Sequence, residues 1–151
     1  MDISGKISVG IIAEEKVSLP EYKFDGDSGM DVKTIIHEPV TLEPLERFTF
    51  PTGIKLKIPY GYEVQVRPRS GLAAKYGLTV LNTPGTIDSN YQGEIKVILV
   101  NLSNENRVIN PGERIAQLVL TKVEFAKLEE INDFEDKTDR GEGGLGHSGE
   151  Y

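Results

Sequence analysis

The sequence contains no cysteine and only two histidines, His37 and His147. Without cysteine the chain can form neither disulfides nor thiolate metal sites, a composition that fits an intracellular, cytoplasmic protein. The two histidines have no metal-binding companion nearby, so neither is interpreted as a ligand. No apolar run approaches the ~20 residues that span a bilayer, and residues 1–10 lack the apolar core of a secretory signal. The composition therefore predicts a protein without a membrane partner.

The chain also has few positive charges: it contains 17 Lys and Arg against 24 Asp and Glu, which gives a formal net charge of −7. A general nucleic-acid-binding protein needs a basic face, so this balance argues against a nucleic-acid partner. A small anionic ligand is still compatible with the charge if local arginines and a divalent cation offset the negative field. The 151 residues leave room for one domain with a substantial core.

Short alternations of apolar and polar residues recur along the chain and are separated by Gly, Pro and Asn turns. They predict strands over residues 6–12, 28–32, 48–58, 64–67, 95–101, 114–120 and 123–128, with a turn over 59–62 and an extended edge or loop over 38–46. Residues 71–76 are the one convincing helix, with Ser70 as its N-cap and Gly77 at its end. The pattern is typical of an all-β fold, a distorted jelly-roll barrel or sandwich with one short helix. Charge and glycine dominate after residue 131, so we expect a domain over 1–131 and a flexible Gly-rich tail over 132–151.

Residues 83–94 lie between two apolar runs and read Thr-Pro-Gly-Thr-Ile-Asp-Ser-Asn-Tyr-Gln-Gly-Glu. The turn pairs Pro84-Gly85 and Ser89-Asn90 predict a β-hairpin with Asp88 near its tip. Unpaired backbone groups of such a hairpin can bind the edge of a flat polar ring, and its Asp can orient and deprotonate a water. A lone Asp in a turn is more often an ordinary turn residue, so the other motifs must decide between the two interpretations.

Three further segments carry chemistry but are ambiguous when taken singly. Arg69-Ser70-Gly71 opens the predicted helix and suits an anion such as phosphate, although a capping serine beside a surface arginine is the simpler interpretation. Gln117 is an amide within an apolar strand, and its partner could be a ligand or neighbouring backbone. Residues 140–149 hold five glycines and could wrap backbone N–H groups around phosphates or form a flexible terminus.

Taken together and in order, five motifs resemble those of the homotrimeric dUTP pyrophosphatases (dUTPases), over nearly the whole chain. They lie at residues 28–32, 69–73, 85–94, 114–118 and 140–149. The resemblance implies jelly-roll subunits in a homotrimer, with three active sites at subunit interfaces that the Gly-rich tails close. The implied reaction is hydrolysis of dUTP to dUMP and pyrophosphate with Mg²⁺ on the triphosphate, which keeps uracil out of DNA and supplies dUMP for thymidylate synthesis.

The resemblance also implies roles for residues at matching positions. Asp88 would orient and deprotonate the water that attacks the α-phosphorus, and Tyr91 would pack against the deoxyribose and leave no space for a 2′-hydroxyl. Asp31 would act through metal-bound waters or a neighbouring arginine. Contacts with the uracil edge would come from Asn82, Thr86, Ile87 and Lys96, and contacts with phosphate from Arg69, Ser70, Gly71, Gln117 and Arg140.

Three alternatives are weighed against this interpretation. A related dCTP deaminase or bifunctional enzyme shares the fold but places a catalytic Glu on the strand after the hairpin, where this chain has Ile98. A non-catalytic regulator built on the same trimer need not keep Asp88, Tyr91 or Arg140. The unrelated all-helical dUTPases are excluded by the strand-rich pattern.

Leu145 departs from the family pattern, which usually has an aromatic residue there that stacks on the uracil. Leucine can cover the base but offers no π-face, so closure of the tail should be weaker. Leu145→Phe is therefore expected to lower KM for dUTP more than it changes kcat, which steady-state kinetics on both enzymes would measure. A rise of about tenfold in kcat would contradict this account of the tail.

Overall fold

The computed structural model describes residues 5–145, in which the apolar alternations form short strands. The elements are β1 (Gly10–Ala13), β2 (Gly29–Lys33), β3 (Val40–Leu42), β4 (Arg47–Pro51), β5 (Ile54–Lys57), β6 (Tyr62–Arg67), α1 (Ser70–Tyr76), β7 (Leu78–Val80), β8 (Gly85–Ile87), β9 (Lys96–Asn101), β10 (Arg107–Ile109) and β11 (Arg114–Lys122). In β6, for example, Val64 and Val66 are buried while Gln65 and Arg67 are half-buried. None of the helical structure in residues 5–145 has the length and hydrophobicity needed to cross a membrane.

The strands pair antiparallel in four sheets. The two larger sheets have the orders β2-β11-β6-β8 and β4-β9-β7, while β1-β5 and β3-β10 are two-stranded ribbons. Buried side chains of both larger sheets share one core, with Val66 and Leu118 from the first and Phe50 and Leu99 from the second. The prediction of an all-β fold with one short helix is therefore confirmed. Within residues 5–145 the sheets do not close into a barrel.

Several strand boundaries differ from those predicted. The first strand starts at Gly10 rather than at residue 6, because its pairing with β5 covers Gly10–Ala13. β3 lies inside the stretch interpreted as an edge or loop, and its partner β10 was not predicted. The strand predicted at 123–128 is wrong: no strand follows β11 within residues 123–145, and Phe125 and Leu128 are exposed.

The prediction of Ser70 as the N-cap of the helix is also wrong. Arg69 occupies the cap position with an extended backbone (φ −88°, ψ 128°), and its side chain makes no capping hydrogen bond. The amide of Ala73 donates to the Arg69 carbonyl at 3.1 Å, which makes Ser70 the first helical residue and leaves it exposed. Gly77 ends the helix in the left-handed conformation with φ 65°, as predicted.

Asn101, at the end of β9, is a fully buried amide that ties neighbouring segments together. Its Nδ2 donates to the carbonyls of Leu42 (2.9 Å) and Glu105 (2.8 Å), and its Oδ1 accepts from the Ser103 N–H (2.9 Å). Asn101→Ala should lower the free energy of unfolding by about 2–4 kcal/mol, because these groups lose their partner. Urea titration measures the loss, with Asn104→Ala in the same turn as an exposed control. Equal stability of the two variants would contradict this role.

Candidate active site

Strand β6 lies between the two sets of predicted site residues, since it pairs with β11 along one edge and with β8 along the other. On the β11 side, Arg67 lies opposite Gln117, which in turn lies opposite Asp31 on β2. On the β8 side, Val64 lies opposite Ile87. Gln117 and Asp31 therefore lie on one side of β6, and Thr86 and Ile87 of the predicted uracil-binding set lie on the other.

Asp31, Arg69 and Arg114 form a group of charged side chains, here called the arginine cluster. The Asp31 Oδ2 lies 3.2 Å from the Arg69 Nη2 and 3.7 Å from the Arg114 Nη1, and the Arg69 Nη1 donates to the Arg114 carbonyl at 3.1 Å. These side chains are 30–50% exposed, and ion pairs at such sites add little stability. Asp31 therefore chiefly orients the two guanidinium groups, whose remaining N–H donors suit a phosphate.

Gln117 lies beside the segment that leads into the helix. Its Nε2 donates to the Pro68 carbonyl at 2.9 Å, so a backbone partner does exist for this amide. The amide also rests against Gly29, where an added Cβ would meet the Gln117 Oε1 and lie 3.0 Å from its Cδ. Ser70 and Gly71 are exposed immediately after Arg69. The four residues that were predicted to bind phosphate and lie before residue 132 are thus neighbours.

A cleft of about 840 Å³ opens next to the arginine cluster. Its lining includes Asp31, Arg114 and Gln117 together with parts of residues 18–29. Within residues 5–145, no group of three or more His, Asp and Glu side chains could hold a metal ion. A divalent cation at this site would therefore need most of its ligands from a bound molecule and from water.

Residues 82–96, here called the recognition loop, do not form the predicted hairpin. β8 pairs with β6, whereas β9 lies between β4 and β7 in the other large sheet. The recognition loop therefore crosses from one sheet to the other, and its polar turn residues were mistaken for a hairpin end. Because β8 is an edge strand, alternate backbone N–H and C=O groups point away from β6 and are free to bind a ligand.

Glu94 anchors the end of the recognition loop to the turn between β4 and β5. Its Oε1 accepts the N–H groups of Thr52 (3.2 Å) and Gly53 (3.0 Å). The Ile95 N–H donates to the Ile54 carbonyl at 2.8 Å, and the Thr52 hydroxyl donates to the Ile95 carbonyl at 2.6 Å. Sequence analysis gave Glu94 no role, because no local pattern shows that its partners lie more than 40 positions away.

The predicted catalytic and nucleoside-binding residues are gathered on the recognition loop. Asp88 is exposed, and its carbonyl accepts the Tyr91 N–H at 3.1 Å in a tight turn. The Tyr91 hydroxyl donates to the Glu94 carbonyl at 2.9 Å. The remaining predicted residues of this loop are exposed or half-buried: Asn82, Thr86, Ile87 and Lys96.

Asp88 and the Arg69 guanidinium are well separated within one chain. Along the strands, five residues of extended backbone lead from Val64, opposite Ile87, to Arg69, a distance of about 17 Å. Across the sheet, three strand spacings, about 14 Å, separate β8 from β2, where Asp31 holds the guanidinium. One chain therefore does not bring the predicted water-activating and phosphate-binding groups together.

The tail residues form a third set. Hydrogen bonds within residues 132–145 are local, such as that from the Arg140 Nε to the Gly143 carbonyl at 2.8 Å, and Leu145 is fully exposed. The structure therefore brings Arg140 and Leu145 to neither of the other two sets. The rest of the fifth motif, residues 146–149, lies outside the described residues.

Comparison with known proteins places this geometry in a family. The family profile described as dUTPase matches residues 15–149. The deoxyuridine 5'-triphosphate nucleotidohydrolase of Fusobacterium nucleatum is 57% identical over 144 residues, which cover 95% of this chain and 98% of the relative. The protein of the same name from Finegoldia magna is 50% identical over 146 residues, with 95% and 99% covered.

A solved structure gives the same result at lower sequence identity. The Staphylococcus bacteriophage 80alpha dUTPase with dUPNHPP matches this chain with a TM-score of 0.84 at 27% identity, and the match covers 95% of this chain and 99% of the phage protein. Sequence and fold therefore agree over nearly the whole length, and the chain belongs to the dUTPase family.

Proposed function

We propose that this chain is a cytoplasmic dUTP diphosphatase that hydrolyses dUTP to dUMP and pyrophosphate. Its family membership and the name shared by its relatives support this substrate. The observation that carries the proposal is the exposed Asp88 directly after the edge strand β8, whose outward backbone groups suit the edge of a pyrimidine. The reaction would keep uracil out of DNA and supply dUMP for thymidylate synthesis.

The active site would be completed between copies of the chain in a homotrimer. Asp88 of one copy would face a triphosphate bound by Arg69 of another copy, because the two groups lie too far apart to serve one triphosphate within a chain. Residues 1–131 would form the body of each subunit, and residues 132–151 an arm that closes over a site. Arg140 would add a cation to the triphosphate, and Leu145 would cover the base.

The chemistry would be an in-line displacement at the α-phosphorus. Asp88 orients a water and takes its proton while the water oxygen bonds to phosphorus. The bond from the α-phosphorus to the bridging oxygen breaks, and pyrophosphate leaves with the electron pair. Donors that stabilise the negative charge of the phosphates would be the side chains of Arg69, Ser70, Gln117 and Arg140 and the Gly71 amide.

Mg²⁺ would be carried mainly on the triphosphate, where it neutralises phosphate charge. This arrangement fits the residues present, because Mg²⁺ keeps several waters and binds through phosphate oxygens, and residues 5–145 contain no cage of acidic ligands. Asp31 is engaged with Arg69 and Arg114, so of its two expected roles we assign it that of orienting the guanidinium groups.

Selection for the nucleoside would come from the recognition loop. Asn82 and the backbone of Thr86, Ile87 and Lys96 would bind the uracil edge. Cytosine presents a donor where uracil presents an acceptor, and a mismatched buried polar group can reject a ligand by about 10⁴-fold. Tyr91 would pack against the deoxyribose and leave no space for a 2′-hydroxyl.

Asp88→Asn tests the proposed chemistry, since it keeps the shape of the side chain but removes the proton acceptor. With Mg²⁺, we expect the wild type to release pyrophosphate from dUTP far faster than from dCTP, dTTP or UTP. We expect kcat for dUTP to fall by about 10²–10⁴-fold in the variant. Glu38→Gln, which removes an exposed carboxylate elsewhere, is the control and should leave kcat unchanged. Full activity of Asp88→Asn would contradict the proposal, and uracil products from dCTP would favour the deaminase alternative.

A further inference from the structure

Gly93 contacts the aromatic ring of Tyr91 within the recognition loop. A Cβ added at Gly93 would meet the Tyr91 hydroxyl oxygen and Cζ and would lie 3.0 Å from Cε2. The φ of Gly93 is not positive, so an alanine could adopt the same backbone conformation. Position 93 therefore requires glycine because of space and not because of backbone conformation: the Tyr91 ring occupies the volume that a side chain at position 93 would fill.

The Tyr91 side chain is also held at its tip. Its hydroxyl donates to the Glu94 carbonyl at 2.9 Å, and Glu94 is itself fixed to the β4–β5 turn through the N–H groups of Thr52 and Gly53. The Tyr91 residue is nevertheless 44% exposed, so the ring has solvent on one side. The ring can contact a ligand on its solvent side. It can also rotate toward solvent if a side chain at position 93 fills the space that it now occupies.

We propose that Gly93 is a specificity-determining residue that acts through Tyr91, because it lets the ring lie in the position that fits a deoxyribose and excludes a ribose. The inference rests on the function proposed above, which gives Tyr91 its contact with the sugar. A methyl group at position 93 would displace the ring, since an aromatic ring cannot bend and the neighbouring backbone is anchored by Glu94. The displaced ring would no longer match the deoxyribose, and selection against UTP would weaken.

Pyrophosphate release from dUTP and from UTP, measured with Mg²⁺ for wild type and Gly93→Ala, tests this directly. The ratio of kcat/KM for dUTP to kcat/KM for UTP should fall about tenfold or more, chiefly through a higher KM for dUTP. In a Tyr91→Ala background, Gly93→Ala should not change the ratio further, because the ring that transmits the effect is missing. A wild-type ratio in Gly93→Ala, alongside a reduced ratio in Tyr91→Ala, would overturn the proposal.

Gly29→Ala is the matched control, because its added Cβ would displace the Gln117 amide instead of the tyrosine. It should lower activity on both nucleotides together and leave the ratio unchanged; a fall in the ratio equal to that of Gly93→Ala would overturn the specific role of position 93. If Gly93→Ala does not fold, Tyr91→Phe removes the bond to the Glu94 carbonyl and should lower the ratio in the same direction, while an unchanged ratio would overturn the proposal.

The two levels of the account fail separately. A wild-type enzyme that shows no preference for dUTP over UTP would refute the proposed function itself. A wild-type enzyme with strong preference, combined with an unchanged ratio in Gly93→Ala, would refute only the role of Gly93. A crystal structure of Gly93→Ala should show the Tyr91 ring moved from its wild-type position, and an unmoved ring would contradict the mechanism.

Discussion

The pairing of β6 with β11 on one edge and β8 on the other is the constraint on which the site depends. It places the arginine cluster and the recognition loop on opposite sides of one strand, about 14 Å apart across the sheet. No side-chain rotation closes such a gap, because the strand positions are set by backbone hydrogen bonds. A single chain would thus carry two half-sites that serve different active sites, and association of copies would complete each site.

Within each half-site, the side chains that would contact the ligand are held in position by neighbouring residues that would not contact it. Asp31 orients the guanidinium of Arg69, and Glu94 fixes the end of the loop that carries Asp88. Gly93 leaves room for the ring of Tyr91. Since phosphoryl transfer relies on positioning and charge stabilisation, such supporting contacts should matter as much as the reacting groups themselves.

Much of the fold could be predicted because it is encoded locally. Alternation of apolar and polar residues located β4, β5, β6, β9 and β11, and Gly77 marked the end of the helix. The recognition loop could not be predicted as a crossing between sheets, because the partner of β8 is chosen by pairing with a strand about 20 positions earlier. The same limit applies to Glu94, whose partners are remote. The cap was assigned to Ser70 because serine is a good capping residue, but the helix begins one position earlier and its cap is Arg69.

The most direct test of the shared site is complementation between two defective variants, Asp88→Asn and Arg69→Ala. Each should be nearly inactive alone, because each spoils one half of every site. After the two are unfolded together and refolded as a 1:1 mixture, a site shared between copies should contain both intact residues in about one quarter of cases. The account predicts recovery of about one quarter of wild-type activity, and activity no higher than that of the separate variants would contradict it.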